Sequence, residues 1–346
     1  MSPTPRRVQV RRYDLPFIAP VRTAAGTFTH RTGWLVGLEG TDGRMGWGDA
    51  APWPGFGVDY AGTCASLASA EGQFADERGF LERVGSRVVA EAALSQAACD
   101  LRAQAEGVAL RALGCGSTRG GERGPGAVDF IEVHALVNTA EGALAAVARG
   151  YRTLKVKVGF AEIAMDLRRL RAIREAVGAG IALRLDANGA FGGDDAVAAS
   201  LAFSEVGPSL IEQPGRTVAD CIRVRRETRV RVALDESLSS PAAVQDALER
   251  EAMDVAVIKP AFFPSWTGAL LAAQQCRRAG IGVIVTCALE SAIGRWGALH
   301  LAAALGAEGE PAGLEAPLAE DVAGFPAAVD GWLRPEWRPG LGVAPC

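Results

Sequence analysis

The sequence contains almost no lysine. Its 346 residues include 36 lysines and arginines, and only three of these are lysines: Lys155, Lys157 and Lys259. Arginine keeps its proton in proteins, whereas a buried lysine changes its pKa readily and can act as an acid or a base. The three positions at which lysine is kept therefore indicate a need for a cation that can titrate.

Histidine is equally scarce and cysteine is scattered. The histidines at positions 30, 134 and 300 lie far apart in the chain, which leaves little material for a zinc site or a Ser-His-Asp triad. The seven cysteines form no Cys-x-x-Cys pair, as expected of reduced thiols in a cytoplasmic protein. Any catalysis must therefore depend on carboxylates and lysines.

Long apolar runs and a strong net charge are also missing. No segment approaches the ~20 apolar residues of a membrane span, and no apolar run of a signal peptide follows the arginine-rich N-terminus. The net charge of −4 gives no reason to expect a nucleic acid or a membrane as partner. We expect a soluble chain of one large domain or two ordinary ones.

The N-terminal third has the pattern of a mixed α+β unit. Residues Val8 to Ala51 alternate as antiparallel strands do, and Trp34–Leu38 and Met45–Asp49 predict a hairpin. A helix is predicted over Val88–Glu106, where Ala and Leu recur without Pro or Gly.

Three segments of this region are predicted to be irregular. Two loops, Ala19–Thr29 and Pro52–Asp59, interrupt the strands, and surface loops rich in Pro, Gly and aromatics often close over a ligand. The glycine-rich segment Gly114–Gly126 is predicted to be a linker.

Strands and helices alternate after this linker. The predicted strands are Ile131–Leu136, Leu154–Val158, Ala182–Asp186, Leu210–Glu212, Val232–Asp235, Val255–Ile258, Val283–Thr286 and Gly313–Glu315. The helices predicted between them include Ala161–Val177, Asp195–Val206, Ala242–Glu251 and Thr267–Ala279. This rhythm predicts a (β/α)₈-type barrel, with a doubly wound sheet as the alternative.

The polar residues favour the barrel. They stand at the carboxyl ends of five successive predicted strands: Lys155, Lys157, Asp186, Glu212, Asp235 and Lys259. In a (β/α)₈ barrel those ends meet at one mouth, where active sites are built. Alternation along a strand places Lys155 and Lys157 on the same face. An ordinary salt bridge explains one charged strand end, but not six charges that include every lysine.

The carboxylates among these residues predict a magnesium site. Asp186, Glu212 and Asp235 are hard oxygen ligands without histidine or thiolate beside them, which suits Mg²⁺, with Mn²⁺ as a possible substitute. The lysines flank this trio, and their mutual proximity and the cation are expected to lower a lysine pKa towards neutrality. Such a site would remove a proton next to the carboxylate of a small-molecule substrate.

These residues resemble the enolase superfamily, specifically its muconate-lactonizing subgroup. The matching motifs are Lys155-Val-Lys157, Leu185-Asp-Ala-Asn-Gly189, Ile211-Glu-Gln-Pro214, Leu234-Asp-Glu-Ser237 and Ile258-Lys-Pro260. The resemblance implies an α/β fold in which an α+β cap covers a modified (β/α)₇β barrel. It implies a cap over residues 1–120, a catalytic barrel over 121–320 and a segment over 321–346 that returns to the cap.

Within that subgroup the sequence is most similar to the o-succinylbenzoate synthase family. The similar stretches are Thr23-Ala-Ala-Gly-Thr27, Trp47-Gly-Asp-Ala-Ala-Pro52, Pro54-Gly-Phe-Gly57 and Leu289-Glu-Ser-Ala-Ile-Gly294. This resemblance implies a syn dehydration in menaquinone or phylloquinone biosynthesis. Lys157 would remove the α-proton, Lys259 would stabilise the intermediate and Lys155 would hold the substrate carboxylate. The further substrate-binding residues that it implies are Asn188, Thr286 and Ser291.

Three alternatives remain open from the sequence. The same two lysines would serve an N-succinylamino acid racemase or a dipeptide epimerase, although Cys287–Ser291 offers only Glu290 where an epimerase would be expected to show two acids. A muconate cycloisomerase is less favoured, because this sequence lacks the flanking motifs of that enzyme. A catalytically silent binding protein would be indicated by a lost lysine or ligand, and none is missing.

Overall fold

The computed structural model describes residues 5–23, 26–85, 87–113, 128–306 and 309–346. Its N-terminal part is a four-stranded antiparallel sheet of order β3-β2-β1-β4 with helices packed against it. The elements of this part are β1 (Pro5–Thr23), β2 (Gly26–Gly40), β3 (Met45–Ala50), α1 (Tyr60–Ser69), β4 (Gly72–Phe74), α2 (Glu77–Val84), α3 (Val88–Glu106) and α4 (Leu110–Leu113).

Close packing of β3 on α3 holds this cap together. A Cβ atom on Gly48 would lie 1.8 Å from the carbonyl oxygen of Ala93, and one on Gly46 would lie 2.0 Å from that of Ala97. Only glycine therefore lets the strand approach the helix backbone so closely. The predicted hairpin is confirmed, since Trp34 pairs with Ala50.

The remaining chain forms a parallel sheet of seven strands surrounded by helices. Its strands are β6 (Ala135–Leu136), β7 (Thr153–Lys157), β8 (Ala182–Asp186), β9 (Leu210–Glu212), β10 (Val232–Leu234), β11 (Val255–Ile258) and β12 (Gly282–Val285), in that order around the sheet. Its helices are α5 (Ala140–Ala148), α6 (Ile163–Val177), α7 (Asp194–Ser204), α8 (Val218–Thr228), α9 (Pro241–Glu249), α10 (Trp266–Arg278) and α11 (Ala292–Leu305), with a 3₁₀ turn over Pro260–Phe262.

Side chains that cap helix starts explain where several of these helices begin. Thr217 and Asp220 form a reciprocal capping box at the start of α8. Ser240 accepts from the backbone of α9 and Pro241 occupies its first turn, where a missing N–H costs nothing. Most predicted helix boundaries are therefore confirmed to within one or two residues.

The sheet curves into a barrel that closes through single bridges. Thr286, just beyond β12, pairs with Gly313, and Ala312 pairs with Val133, just before β6. The eighth strand predicted at Gly313–Glu315 is therefore reduced, in the described residues, to these isolated parallel bridges. A parallel sheet with helices outside confirms the barrel class and excludes the doubly wound alternative.

Alternation along the strands separates two apolar layers. One layer lies between the sheet and the helices and includes Leu154, Leu183, Ile211, Leu234 and Ile258. The other lies inside the barrel and consists of Leu210, Ala233, Val255, Val257 and Ile284. On β9, β10 and β11 this inward layer stops two residues before the polar strand ends, so Glu212, Asp235 and Lys259 lie on an apolar floor.

The C-terminal segment runs back to the cap. A short strand, β13 (Trp332–Leu333), pairs with β5 (Ile131–Glu132). Beyond it, the Leu341 amide donates to Asp100 of α3 at 2.8 Å. The bounds 321–346 of the C-terminal segment stay a prediction, and the boundary between cap and barrel predicted at 120/121 lies outside the described residues.

Two of the predicted irregular segments differ from expectation or lie outside the structure. The loop predicted over Ala19–Thr29 is wrong, because Val21 pairs with Phe28 and Thr23 with Gly26 as an extension of the β1–β2 ladder. Its Val, Thr and Phe residues favour a pleated strand over a loop. The predicted linker Gly114–Gly126 lies outside the described residues. None of the helices in the described ranges is long and apolar enough to cross a membrane.

Candidate active site

The charged strand ends predicted from the sequence meet inside the barrel mouth. Lys157 is in register with Asp186, and Asp186 with Glu212, on the neighbouring strands β7, β8 and β9. Because their sequence neighbours pack outward against the helices, all three side chains point inward. Asp235 and Lys259 follow β10 and β11 directly and continue the same ring.

Lys155 connects two of the carboxylates. Its Nζ donates to Glu212 Oε1 at 2.8 Å and lies 2.9 Å from Asp186 Oδ2. Both carboxylates are almost completely buried. An ammonium group between two buried carboxylates compensates their mutual repulsion. Lys155, two residues before Lys157 on the same face of β7, supplies that group.

Lys259 lies on the opposite side of the ring. Its Nζ donates to Asp235 Oδ1, and it also lies 4.6 Å from the centre of the Phe56 ring. Phe56 belongs to the cap loop Pro52–Asp59 and stacks on Phe262 of the 3₁₀ turn at 4.4 Å. The second cap loop predicted from the sequence therefore lies over the barrel mouth, next to a site lysine.

Lys157 contacts a neutral group instead of a carboxylate. Its Nζ donates to Asn188 Oδ1 at 3.1 Å. The Asn188 Nδ2 group in turn donates to Glu236 Oε1 at 2.9 Å. The other carboxylate oxygen of Glu236 is buried and has no hydrogen-bond partner in the described part of the chain. Asn188, expected to bind substrate, therefore lies between a lysine and a carboxylate.

Burial and neighbouring charges give the two carboxylates beside Lys155, Asp186 and Glu212, different pKa values. Burial favours the neutral acid, but Lys155 and Lys157 outweigh it and lower the pKa of Asp186 to about 2. Burial, together with the negative charge of Asp186, raises the pKa of Glu212 to about 7. Two carboxylates that share one ammonium group are thus held in different protonation equilibria.

Two of the lysines have a raised pKa, so neither is the one lysine whose pKa was expected to fall. Burial disfavours their charged form, but Asp186 and Glu212 outweigh it and raise the pKa of Lys155. Asp235 does the same for Lys259, whose pKa is also raised. The sequence argument considered the repulsion among the cations, whereas in the structure each of these two ammonium groups is closer to a carboxylate than to another cation.

The donor set suits a hard divalent cation. Asp186, Glu212 and Asp235 bring three carboxylates to one mouth, and the buried unpartnered oxygen of Glu236 lies beside them. Such oxygen ligands are those that Mg²⁺ prefers. In the described ranges no three acidic, histidine or cysteine side chains are grouped closely enough to hold a metal ion, and Lys155 and Lys259 are paired with these carboxylates. A bound cation would have to compete with Lys155 and Lys259 for these oxygens.

Two residues expected to bind substrate have other partners. The Ser291 hydroxyl is fully buried and donates to Asp49 of the cap at 2.6 Å. The Thr286 hydroxyl lies inside the barrel and donates to the carbonyl of Gly313 at 2.9 Å. The structure therefore places Ser291 in the cap–barrel interface and not against a substrate. Its acceptor Asp49 could not be predicted from the sequence around Ser291.

Arg31 ties the same interface together and was not predicted. This arginine is 1% exposed and donates to the carbonyls of Ala51, Pro52, Ala288 and Leu289. It thereby joins the cap loop to the segment that follows β12. A single arginine in a strand, in a chain in which nearly every cationic residue is arginine, carries no signal in the sequence that would distinguish it.

Gln213 explains the amide in the Ile211–Pro214 motif. Its side-chain oxygen accepts from the backbone amide of Asp235 at 3.1 Å, and its Nε2 donates to Ser237 at 2.9 Å. Gln213 thus fixes the end of β10, from which Asp235 projects. His134, which had no assigned role, is packed inside the barrel against Arg184 at 3.1 Å.

The interface carboxylate Asp49 makes stability depend on pH. Burial raises its pKa from 3.8 to about 6, although Ser291 and Tyr13 donate to it. The folded protein therefore holds this proton more tightly than the unfolded chain, so the free energy of unfolding should fall as pH rises from about 4 to about 6. The contribution is about 2–3 kcal/mol, and it is lost above that range.

We expect Asp49→Asn to flatten this part of the stability profile. Urea unfolding at several pH values measures the slope, and Asp42→Asn on the exposed hairpin turn controls for the loss of one charge. Asp100, whose pKa is also raised to about 6 by burial, remains in the variant, so the slope should decrease without vanishing. Parallel profiles for wild type and Asp49→Asn would contradict the assignment.

The comparisons with known proteins agree with this geometry. Residues 138–346 match the family described as enolase C-terminal domain-like. The o-succinylbenzoate synthase of Mycobacterium tuberculosis is 38% identical over 189 residues, which cover 53% of this chain and 56% of that protein. The chain thus spans little more than half the length of this relative.

A second relative matches over more of the chain. The L-Ala-D/L-Glu epimerase of Bacillus subtilis is 28% identical over 316 residues, 86% of this chain and 84% of that protein. Its substrate-liganded structure superposes with a TM-score of 0.83 and 26% identity, covering 99% of each chain. The dipeptide epimerase of Enterococcus faecalis, solved with Mg and L-Leu-L-Tyr, gives a TM-score of 0.83 at 27% identity, covering 98% of this chain and 99% of that one.

The family match covers more than half of the chain, and the structural matches cover cap and barrel together. A lyase and an isomerase both occur among the relatives, so the similarity does not decide between these two reactions. The chain belongs to the enolase superfamily, in its enolase C-terminal domain-like family.

Proposed function

We propose that this protein is an o-succinylbenzoate synthase. It would convert 2-succinyl-6-hydroxy-2,4-cyclohexadiene-1-carboxylate into o-succinylbenzoate by a syn dehydration, in menaquinone or phylloquinone biosynthesis. The observation that carries this proposal is the difference between the surroundings of the two lysines that flank the carboxylates.

Lys157 is proposed to be the base. Its Nζ contacts only the neutral amide oxygen of Asn188 among the described side chains, and it faces the mouth beside Asp186. Lys157 would take the α-proton of the substrate carboxylate and then return that proton to the departing β-hydroxide, which leaves as water. One group on one face performs both transfers, as a syn elimination requires.

Lys259 is proposed to act as a fixed positive charge. It is paired with Asp235 and lies over the Phe56 ring, and both contacts favour the ammonium form. A cation held in this way stabilises the negative charge that develops on the substrate carboxylate. A two-base racemase would instead need Lys259 to act as a neutral amine in one direction.

The proposed metal ligands are Asp186, Glu212 and Asp235. A Mg²⁺ ion held by these carboxylates would supply additional positive charge next to the substrate carboxylate. Lys155 is proposed to neutralise the buried ligands Asp186 and Glu212, in addition to the predicted contact with the substrate carboxylate. Thr286, inside the barrel beside Gly313, remains a proposed substrate contact.

The second candidate is a racemase or dipeptide epimerase. The observation in its favour is the B. subtilis epimerase match, which extends over 86% of this chain. The state of Glu290 argues against a dipeptide substrate. Its side chain is 3% exposed and accepts a hydrogen bond from the backbone amide of Ala288 at 2.6 Å. The acid that follows β12 is thus already bonded to its own loop, and is not available for a substrate amine.

A direct assay separates the candidates. Purified protein is incubated with the cyclohexadiene substrate, with Mg²⁺ or with EDTA, and product formation is followed by absorbance. Fast metal-dependent conversion is expected. In parallel, deuterium incorporation from ²H₂O into N-succinylamino acids and dipeptides is followed by NMR. Exchange without any dehydration would overturn the synthase proposal in favour of the isomerase.

Asp235→Asn is expected to weaken the metal site. We expect the Mg²⁺ concentration for half-maximal activity to rise at least ~10-fold, because one charged ligand becomes neutral. Mn²⁺ binding, followed by electron paramagnetic resonance, measures the affinity without turnover. Asp254→Asn is the matched control, because Asp254 pairs with Arg225 before β11, at the other end of the barrel. Equal Mn²⁺ affinity in both variants would show that the ligands are misassigned.

A further inference from the structure

We propose that Glu236 is a positioning residue that acts on Lys157 through the side-chain amide of Asn188. The proposal rests on the proposed function in one respect, namely that Lys157 is the base. It gives Glu236 a role distinct from metal binding and replaces the expected substrate contact of Asn188.

The three side chains form one continuous hydrogen-bonded chain. Lys157 Nζ donates to Asn188 Oδ1 at 3.1 Å, and Asn188 Nδ2 donates to Glu236 Oε1 at 2.9 Å. Lys157 ends β7, Asn188 lies in the turn after β8, and Glu236 lies just after β10, which is two strands further round the sheet. The chain therefore crosses the barrel mouth above β9.

The chemistry of its two ends allows only one orientation of the amide. A carboxylate accepts hydrogen bonds and an ammonium group only donates them, so the NH₂ group must face Glu236 and the oxygen must face Lys157. A reversed amide would place NH₂ against ammonium and oxygen against carboxylate, and both hydrogen bonds would be lost. Glu236 thus determines that an acceptor faces the base.

The backbone of Asn188 cannot compensate if this orientation is lost. Its φ angle of 44° lies in the left-handed region, which asparagine tolerates better than most residues. Its amide donates to Asp186 Oδ1 at 3.0 Å, and the next amide, that of Gly189, donates to the Gln213 carbonyl at 2.8 Å. Because these hydrogen bonds fix the main chain on both sides, only the Asn188 side chain can rotate, and its hydrogen bond to Glu236 restricts that rotation.

Lys157, unlike the other two lysines, is oriented by a neutral side chain and not by a carboxylate. Lys155 and Lys259 are held directly by carboxylates, whereas within the described ranges no carboxylate lies within salt-bridge distance of Lys157 Nζ. A neutral amide oxygen orients the Lys157 amine without placing a full negative charge against it. The charge of Glu236 is kept one residue away, where it acts on orientation.

Two substitutions of Glu236 separate orientation from charge. Glu236→Leu removes the acceptor, so the Asn188 amide can rotate and Lys157 loses its fixed partner. We expect kcat for the dehydration to fall about 10- to 100-fold with little change in KM, the scale expected for a misplaced catalytic group. Glu236→Gln keeps an oxygen acceptor of the same shape, and we expect it to retain most of kcat.

The scarcity of lysine supplies a readout that needs no substrate. Lysine labelled with ¹³C at Cε gives signals from only three side chains, and the Lys157 signal is assigned by its disappearance in Lys157→Arg. In the wild type we expect the two ε protons of Lys157 to have distinct shifts, because the side chain is held. In Glu236→Leu these shifts should merge, whereas Glu236→Gln should keep them apart and the Lys155 and Lys259 signals should stay in place.

The outcomes separate this proposal from the proposed function. The expected spectra without dehydratase activity in the wild type would support the positioning role and overturn the synthase proposal. Dehydratase activity with an unchanged Lys157 signal in Glu236→Leu would overturn the positioning role alone. Equal losses of kcat in the Gln and Leu variants, accompanied by weaker Mn²⁺ binding, would show that the charge of Glu236 serves the metal site, and would also overturn the proposal.

Discussion

Replacing Lys157 with alanine is expected to lower kcat by about 10⁴-fold, the upper range for loss of a general acid–base group. The variant should fold normally, because Lys157 is only partly buried and its Nζ makes a single hydrogen bond to Asn188. Dehydratase assays give kcat, and circular dichroism with thermal unfolding verifies the fold.

Lys157→Arg distinguishes a base from a fixed charge. Arginine keeps a cation at this position but cannot give up its proton, so it should be as inactive as alanine. Substantial activity in Lys157→Arg would mean that position 157 supplies only charge. Near-normal turnover in Lys157→Ala would refute the assignment of the base altogether.

Arg31→Met is expected to cause the largest loss of stability. It should lower the free energy of unfolding by about 3–5 kcal/mol, because the variant leaves several buried carbonyls without a donor. The affected acceptors belong to both sides of the interface: Ala51 and Pro52 in the cap, and Ala288 and Leu289 after β12. Methionine keeps much of the side-chain volume, so the effect reports lost hydrogen bonds more than a cavity.

Urea unfolding of Arg31→Met against Arg12→Met tests this prediction. Arg12 lies on the neighbouring strand β1 and is exposed, so its replacement removes the same charge without opening the interface. The control should change the free energy of unfolding by less than ~0.5 kcal/mol. A similar small change in both variants would show that the hydrogen bonds of Arg31 do not stabilise the interface.

Arg31 also connects the cap to catalysis. It holds Pro52 at the start of the loop that carries Phe56, and Phe56 lies over Lys259. The segment that follows β12 is held by the same guanidinium group. One buried arginine thus sets the position of two segments that surround the barrel mouth.

The sequence alone determined the barrel and the ring of charges inside it. Alternation with period two fixes which side chains of a buried strand face inward, and the parallel topology brings the carboxyl ends of strands to one mouth. These two rules suffice to place Lys155, Asp186 and Glu212 together, and the structure has them within hydrogen-bond distance. The rarity of lysine selected the same positions independently.

Tertiary structure decided which partner each polar side chain takes. Ser291 lies in a motif that indicated substrate binding, but it donates to Asp49, which is far away in the sequence. Asn188 faces Lys157 because Glu236, from another strand, fixes its amide. Local patterns cannot give such choices, because hydrogen-bond partners depend on the positions of neighbouring elements.

The same limit explains the differences in the fold and in the lysines. The β1–β2 ladder extends to Val21–Phe28 and Thr23–Gly26 because the two strand ends remain in register, and a local sequence pattern does not reveal the register between two strands. The pKa values of Lys155 and Lys259 rise because Asp186, Glu212 and Asp235 lie next to their ammonium groups. Composition and spacing thus determined which groups form the site, whereas distances in the folded chain determined which charge prevails at each of them, since electrostatic energy depends on separation and burial.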